Sequence, residues 1–448
     1  METGVLTVNI PARIILVVSA IALVVALLIL IGALNWIADD AAVNKRAVEV
    51  LIVYWASFCL LILIVAGVRK HPKELLLAVV SLALVLLLAE AALRILTPDR
   101  AKPQMAGLRS STLHHTLPPN MEMLMGVFDG KPVVVRTNED GIRTGYTRES
   151  FLSHRSRVVL LGDSFVFGLG VKQEETCAAV AERTLRERLR RDNIAVMGAS
   201  AISYSPLLLL QLYRYKVAAY EPGVVMLLLD VTDVGDDLMY EREAIRDGDE
   251  IRFSLPDERK RRFYSAVYQA LRPLLERLGK DFAYPYYTFL SPGRASYDYY
   301  NFDLEVGGVI EKNRYFVYRH PLAETRMYFD RMMRNVDRIA QGVKENGGTF
   351  VLVVTPRYHH WNDHECPDNW EIRQYQYTVS DPYEFEYLRF FEEVKDSLDY
   401  EVLNLLPAFQ QTEESPLVFR ADPHWNPAGH AFVGRLLADH LLERGIVR

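Results

Sequence analysis

Cysteine is scarce in this chain, with three in 448 residues. That is too few for a disulfide framework. Cys59 lies in an apolar run. Cys177 and Cys366 could pair only in an oxidising compartment, and two free thiols are the expectation. Long basic runs are also missing, and the formal charge is −6. Nucleic acid, whose phosphates demand a basic face, is therefore not an expected partner. Metal-ligand spacing is absent too. "PRYHHWNDHEC", residues 356–366, holds three histidines and a cysteine, but their intervals fit no common zinc site. No metal and no cofactor is expected.

Apolar residues make up 50% of the chain, unevenly spread. Residues 14–34, 50–68 and 75–96 form three long apolar runs. About 20 such residues cross a hydrocarbon core as a helix. The first run is too long for a signal-peptide core, its lead carries only Arg13, and two more runs follow. Residues 1–98 are therefore expected as three transmembrane helices. Glu90 and Arg94, four apart, share one helical stripe near an interface, and Pro98 ends the third helix. The turn "VRKHPKE" carries Arg69, Lys70 and Lys73, the densest basic loop. It should stay in the cytoplasm with the N-terminus, which puts everything after the third span outside.

A linker over residues 99–130 leads to alternating strands and helices from 131 to 448. Strands are read at "RVVLLGDS", "NIAVMG", "GVVMLLLDV", "TFVLVVTP" and "YEVLNLL". Helices lie between them, and the last is "AGHAFVGRLLADHLLERG". Near-continuous apolar strands alternating with helices imply α/β architecture, a parallel sheet covered on both faces. Ligands of such sheets bind at the carboxyl ends of the strands. An insertion at about 238–321 interrupts the rhythm and is rich in tyrosine. Those rings either line a carbohydrate or lipid groove or form a small core.

Ser164 in "VVLLGDSFVFGLG" stands where the first strand gives way to a helix. A helix start offers unpaired N–H groups and a positive dipole end, both favourable to an oxyanion. Serine needs a base, and the base an orienting carboxylate. "ADPHWNPAGH", residues 421–430, supplies Asp422 and His424 before the last helix, with Asn426 and Pro427 as its start signals. Alone, Ser164 could be a helix cap and His424 an ordinary loop residue. Together, in this order, they suggest a triad.

These blocks resemble the SGNH (GDSL) hydrolase superfamily over residues 130–448. "GDSF" is similar to its first block and "DPHWNPAGH" to its last. The D-x-H-W form resembles membrane-anchored branches tied to polysaccharide O-acetylation. "VRTNEDGIR", residues 135–143, is similar to the "N-x-x-G-x-R" lead-in of such members. The resemblance implies a three-layer α/β/α, flavodoxin-like domain. It also implies an oxyanion hole from the N–H groups of Ser164 and Ser203 with Thr232, where the family has glycine and asparagine at the last two. Asp163, Gly198, Asp233, Arg357 and His359 are candidate substrate contacts. Asp230 and Asp233 could also bind a cation or a substrate hydroxyl, although turn roles suit them better. The implied activity is a membrane-anchored serine acyl-ester hydrolase acting on an extracytoplasmic glycan or glycolipid. The alternatives are an O-acyltransferase served by a membrane acyl-donor partner, and a glycan-binding or assembly subunit that has lost catalysis.

Overall fold

The computed structural model describes residues 108–128, 131–248, 250–254, 304–375 and 382–448, with Leu84 and Leu88. Apart from those two leucines, all belong to one compact unit, residues 105–256 with 295–448. The three expected spans, their basic turn, the Glu90–Arg94 pair, Cys59 and the tyrosine-rich run around 282–300 lie outside the described residues. Among the described residues, no helix is long and apolar enough to cross a membrane.

A five-stranded parallel sheet forms the centre. Its strands are β1 (Ser156–Gly162), β2 (Ile194–Ser200), β3 (Val224–Leu229), β4 (Thr349–Val354) and β5 (Glu401–Asn404). They lie in the order β5-β4-β3-β1-β2. Successive side chains of a strand face opposite ways, and here both faces are buried. Val158 and Leu160 enter one core, whereas Val159 and Leu161 enter the other. Helices cover both sides. On one face lie α2 (Cys177–Leu189) and α7 (Pro427–Glu443). On the other lie α3 (Pro206–Tyr215), α5 (Leu322–Glu345) and α6 (Glu386–Val394). Two further helices start at the carboxyl ends of strands, α1 (Ser164–Phe167) after β1 and α4 (Asp233–Glu243) after β3. The chain leaves β1 toward β2 on one side and returns to β3 on the other. That reversal is a topological switch point outside the ends of β1 and β3, the place where open α/β sheets bind ligands.

Two stretches differ from the sequence expectation. The 99–130 linker is structured from residue 108. Ribbon Leu108–Ser110 pairs with His114–Thr116, and Glu122–Phe128 pairs with Lys131–Arg136. Leu113, Met123 and Met125 are buried there. The insertion begins later than 238, because α4 runs through that position before the ribbon Ala244–Asp247 with Glu250–Phe253. At its far end, Tyr315, Phe316, Val317 and Tyr318 are fully buried. For Tyr315 and Tyr318 the core alternative holds. Cys177 and Cys366 are both free and buried.

Candidate active site

Ser164 is the first residue of α1, one position beyond Asp163, which caps the helix by accepting from the Phe165 N–H at 2.9 Å. The helix lies close over the sheet because Gly162 has no side chain. A Cβ there would meet Val166 Cγ2 at 2.4 Å and the Leu228 carbonyl at 3.3 Å. The segment after α1 is held from below. Arg143 donates to the carbonyls of Phe167 (2.7 Å), Gly168 (2.8 Å) and Val171 (2.6 Å). Burial lowers its pKa to about 10, still protonated at neutral pH. Asn138 shapes the turn leading to Arg143, its side-chain oxygen accepting from Asp140 and Ile142. Gly141 sits there at φ +71, and a Cβ would meet the Leu117 carbonyl at 2.3 Å. The "N-x-x-G-x-R" run is thus a brace for helix α1, which carries Ser164.

The candidate base, His424, arrives from the other end of the chain. Asn426 caps α7 by accepting from Ala428 (2.9 Å) and Gly429 (3.0 Å). Backbone bonds Phe419 to His424 (3.1 Å) and Asn426 to Leu417 (3.0 Å) close the loop ahead of it. His424 Nε2 then lies 2.8 Å from Ser164 Oγ. Its Nδ1 bonds Asp422 Oδ1, which also accepts the His424 backbone N–H at 3.0 Å. A carboxylate only accepts, so Nδ1 carries the proton and Nε2 is left to receive one from the serine. The Phe165 ring packs against the imidazole with centroids 4.9 Å apart.

Charge favours this arrangement. Burial alone would lower the His424 pKa, but Asp422 more than offsets it and the net shift is upward. Burial would raise Asp422, yet His424 and the donors around it bring it down to about 2. One of those donors was invisible in the sequence: the indole Nε1 of Trp370, 3.0 Å from Asp422 Oδ2. The Trp370 backbone N–H also bonds the Ala421 carbonyl at 3.3 Å, which ties its loop to the acid's loop.

No family model and no curated protein matches the chain. Several solved structures resemble part of it. Three of them are described as esterases or a lipase. One is an acetyl xylan esterase, at 12% identity over 64% of this chain and 98% of that one, with a TM-score of 0.34. Another is a catalytic mutant of Axe2, an acetylxylan esterase from Geobacillus stearothermophilus, at 13%, 66%, 98% and 0.33. A third is a GDSL-like lipase from Bacteroides thetaiotaomicron, at 11%, 64%, 89% and 0.32. Identities and scores of this size fix no activity, which must be argued from this chain's own residues.

The remaining candidates fall on both sides of the catalytic question. Ser203 takes φ +60, the left-handed region that glycine favours, in the loop between β2 and α3. Its carbonyl accepts from Tyr240 Oη at 2.9 Å. Gly198 was a candidate substrate contact. It sits inside β2, against Val166. Thr232 corrects the expectation of a hydroxyl aimed at an oxyanion. Its Oγ1 donates to Asp230 Oδ2 at 2.6 Å, and a hydroxyl has one proton to give.

Arg357 is likewise turned inward. It forks onto both oxygens of Asp230 (2.7 and 2.6 Å) and reaches Glu371 Oε2 at 2.8 Å. With all three side chains nearly fully buried, Arg357 is structural and not a free substrate contact. Burial would raise Asp230, but Arg357 brings it down to about 2. Asp163 stands nearby, pushed up to about 6 by burial and by the Asp230 charge. Its Oδ2 lies 3.3 Å from Ser164 Oγ, a weaker second acceptor for the serine proton. Asp233 takes the turn role, accepting the Asp230 N–H at 2.8 Å. His359 is buried against Tyr318 Oη (3.2 Å), and His360 bonds the Arg357 N–H and the Glu384 carbonyl. Among the described residues, no group of three or more acids, histidines or cysteines is arranged to hold a metal.

Proposed function

We propose that this chain is a serine ester hydrolase of the SGNH type, anchored by N-terminal spans and acting on acyl groups of an extracytoplasmic glycan or glycolipid. The observation that carries the hydrolase reading is the Ser164–His424–Asp422 relay, with Oγ 2.8 Å from Nε2 and the imidazole held by a buried carboxylate. In the first step Oγ bonds the ester carbonyl carbon and its proton passes to Nε2. The tetrahedral intermediate expels the alcohol, which takes that proton back. Water then attacks the acyl-serine by the same route, releasing the acid. Backbone N–H groups at Ser164 and Ser203 are the proposed oxyanion donors. The glycan and the membrane anchor rest on the sequence resemblance and the three apolar runs.

Two other readings share this site. A transferase would pass the acyl group to a sugar, supplied by a membrane acyl-donor partner. A non-catalytic glycan-binding subunit is favoured by one observation, the Thr232 hydroxyl engaged by Asp230. The test incubates the full-length protein with an acetylated oligosaccharide and a chromogenic acetyl ester. Free acetate that disappears in Ser164→Ala supports hydrolysis. Acetate moved onto an added sugar would make the chain a transferase, and inactivity on both esters would favour the binding subunit.

A further inference from the structure

The loop that carries Ser203 is a four-residue turn, residues 201–204, closed by the Tyr204 N–H on the Ala201 carbonyl at 3.3 Å. Its third residue, Ser203, has φ +60, whereas Ile202 before it is not left-handed. That pattern is a type II turn, which calls for glycine at the third place. A residue with a side chain there prefers type I, which differs chiefly by a half-turn of the central peptide. Here the central peptide joins the Ile202 carbonyl to the Ser203 N–H, so the turn type decides where that N–H points. The disfavoured form persists only if its surroundings hold it.

Two contacts do so, on successive carbonyls. The strand His114–Thr116 brings His115 Nε2 to 2.9 Å from the Ile202 carbonyl. A carbonyl only accepts, so Nε2 donates. Tyr240 of α4 holds the next carbonyl, that of Ser203, at 2.9 Å. His115 is itself fixed. Its ring packs edge-on against Tyr204, with centroids 4.9 Å apart, and its own carbonyl accepts from Tyr204 Oη. Its Nδ1 lies 2.8 Å from His114 Nδ1, and His114 Nε2 lies 2.9 Å from Glu243 Oε2. Across a trans peptide the C=O and N–H point opposite ways. A donor pinned to the Ile202 carbonyl therefore aims the Ser203 N–H the other way, and polarises it. Among the described residues, no acceptor takes that N–H. We propose that His115 is a positioning residue for the oxyanion hole, holding the Ile202–Ser203 peptide so that its N–H is presented to the acyl oxygen at Ser164. This deepens the hydrolase reading and rests on it.

The test measures kcat and KM of the full-length protein on a chromogenic acetyl ester. His115→Phe keeps a ring against Tyr204 and removes the donor. It should lower kcat by about ten- to a hundredfold, up to the cost of losing one oxyanion donor, with KM and melting like the parent. His115→Leu gives the same comparison where phenylalanine disturbs the ribbon. His115→Gln, whose amide can donate from nearly the same place, should lose less. In a Ser203→Gly background glycine favours the type II turn by itself, so His115→Phe should there cost less than about threefold, a coupling that a merely structural role would not show. Equal losses in both backgrounds, or an effect on KM alone, would overturn the proposal. Ser164→Ala is run alongside. Turnover that survives it removes the hydrolase reading and the proposal together. Turnover abolished by it, with His115→Phe at the parent kcat, refutes the proposal alone.

Discussion

Replacing Arg357 with methionine should destabilise the protein in a pH-dependent way. In the parent, Arg357 contacts both oxygens of Asp230 and one of Glu371, with all three side chains at 2% exposure or less. Holding Asp230 at about 2 instead of its ordinary 3.8 corresponds to about 2 kcal/mol. Because that folded value is depressed, the contribution is present above pH 3.8 and lost as pH falls through 2. Methionine keeps the length but removes the cation. Glu371 retains Arg314 at 3.6 Å, whereas Asp230 keeps only the Thr232 donors. Stranding one partner of a buried pair costs about 3–5 kcal/mol. With about 2.1 cal/mol/K per residue over roughly 300 residues, Tm should fall by about 5–8 °C at pH 7. Burial without the cation raises Asp230 above its unfolded value, which reverses the sign. The variant should therefore recover stability relative to the parent as the pH is lowered from 7 to 5. Differential scanning calorimetry at both pH values reads this directly. A variant that melts within about 1 °C of the parent at pH 7 would refute the bracket role of Arg357.

Three further substitutions probe the site. Asp422→Asn should cut kcat/KM by roughly three to four orders of magnitude. It should also move the acid limb of the pH profile from above 6.5 to below it, since burial of His424 would then act without the opposing carboxylate; an unmoved limb would argue against the pair. Trp370→Phe keeps the ring but removes the indole donor to Asp422. It should lower kcat about fivefold with KM unchanged and shift the acid limb upward, as a less stabilised carboxylate holds the imidazolium proton more strongly; a KM effect alone would mean that Trp370 acts on substrate. Thr232→Val should cost about 1.5–3 kcal/mol of stability through Asp230, while kcat/KM changes less than about threefold. A loss of two orders of magnitude in turnover would restore Thr232 as an oxyanion donor.

The sheet strands were legible because five runs such as "RVVLLGDS" and "TFVLVVTP" are apolar on both faces, as a covered parallel sheet requires. Ser164, Asp422 and His424 were legible because each sits beside an element boundary that the sequence marks, a strand end or an Asn-Pro helix start. Buried charge was not. Arg357 looks like an edge residue in one dimension, and only the fold shows it facing Asp230 and Glu371. Helix α4 hid behind "DVTDVGDD", whose acids and glycine read as a turn. In the structure those acids are its buried first turns, with Asp236 on Arg314 and Asp237 on Asn335. The ribbons before residue 131 lack long apolar runs, so they read as linker. Trp370 had no signal at all, because its role depends on a loop about 50 residues away in sequence, a closeness that no short-range pattern encodes.

The most direct test of the account is covalent capture of the nucleophile. Full-length protein is treated with a fluorophosphonate probe at pH 8 and the adduct is mapped by peptide mass spectrometry. The account predicts one adduct, on Ser164, formed at a rate that falls by at least about a hundredfold in His424→Ala, in line with loss of a general base. An adduct on another serine, no adduct on folded protein, or equal labelling of His424→Ala would contradict it.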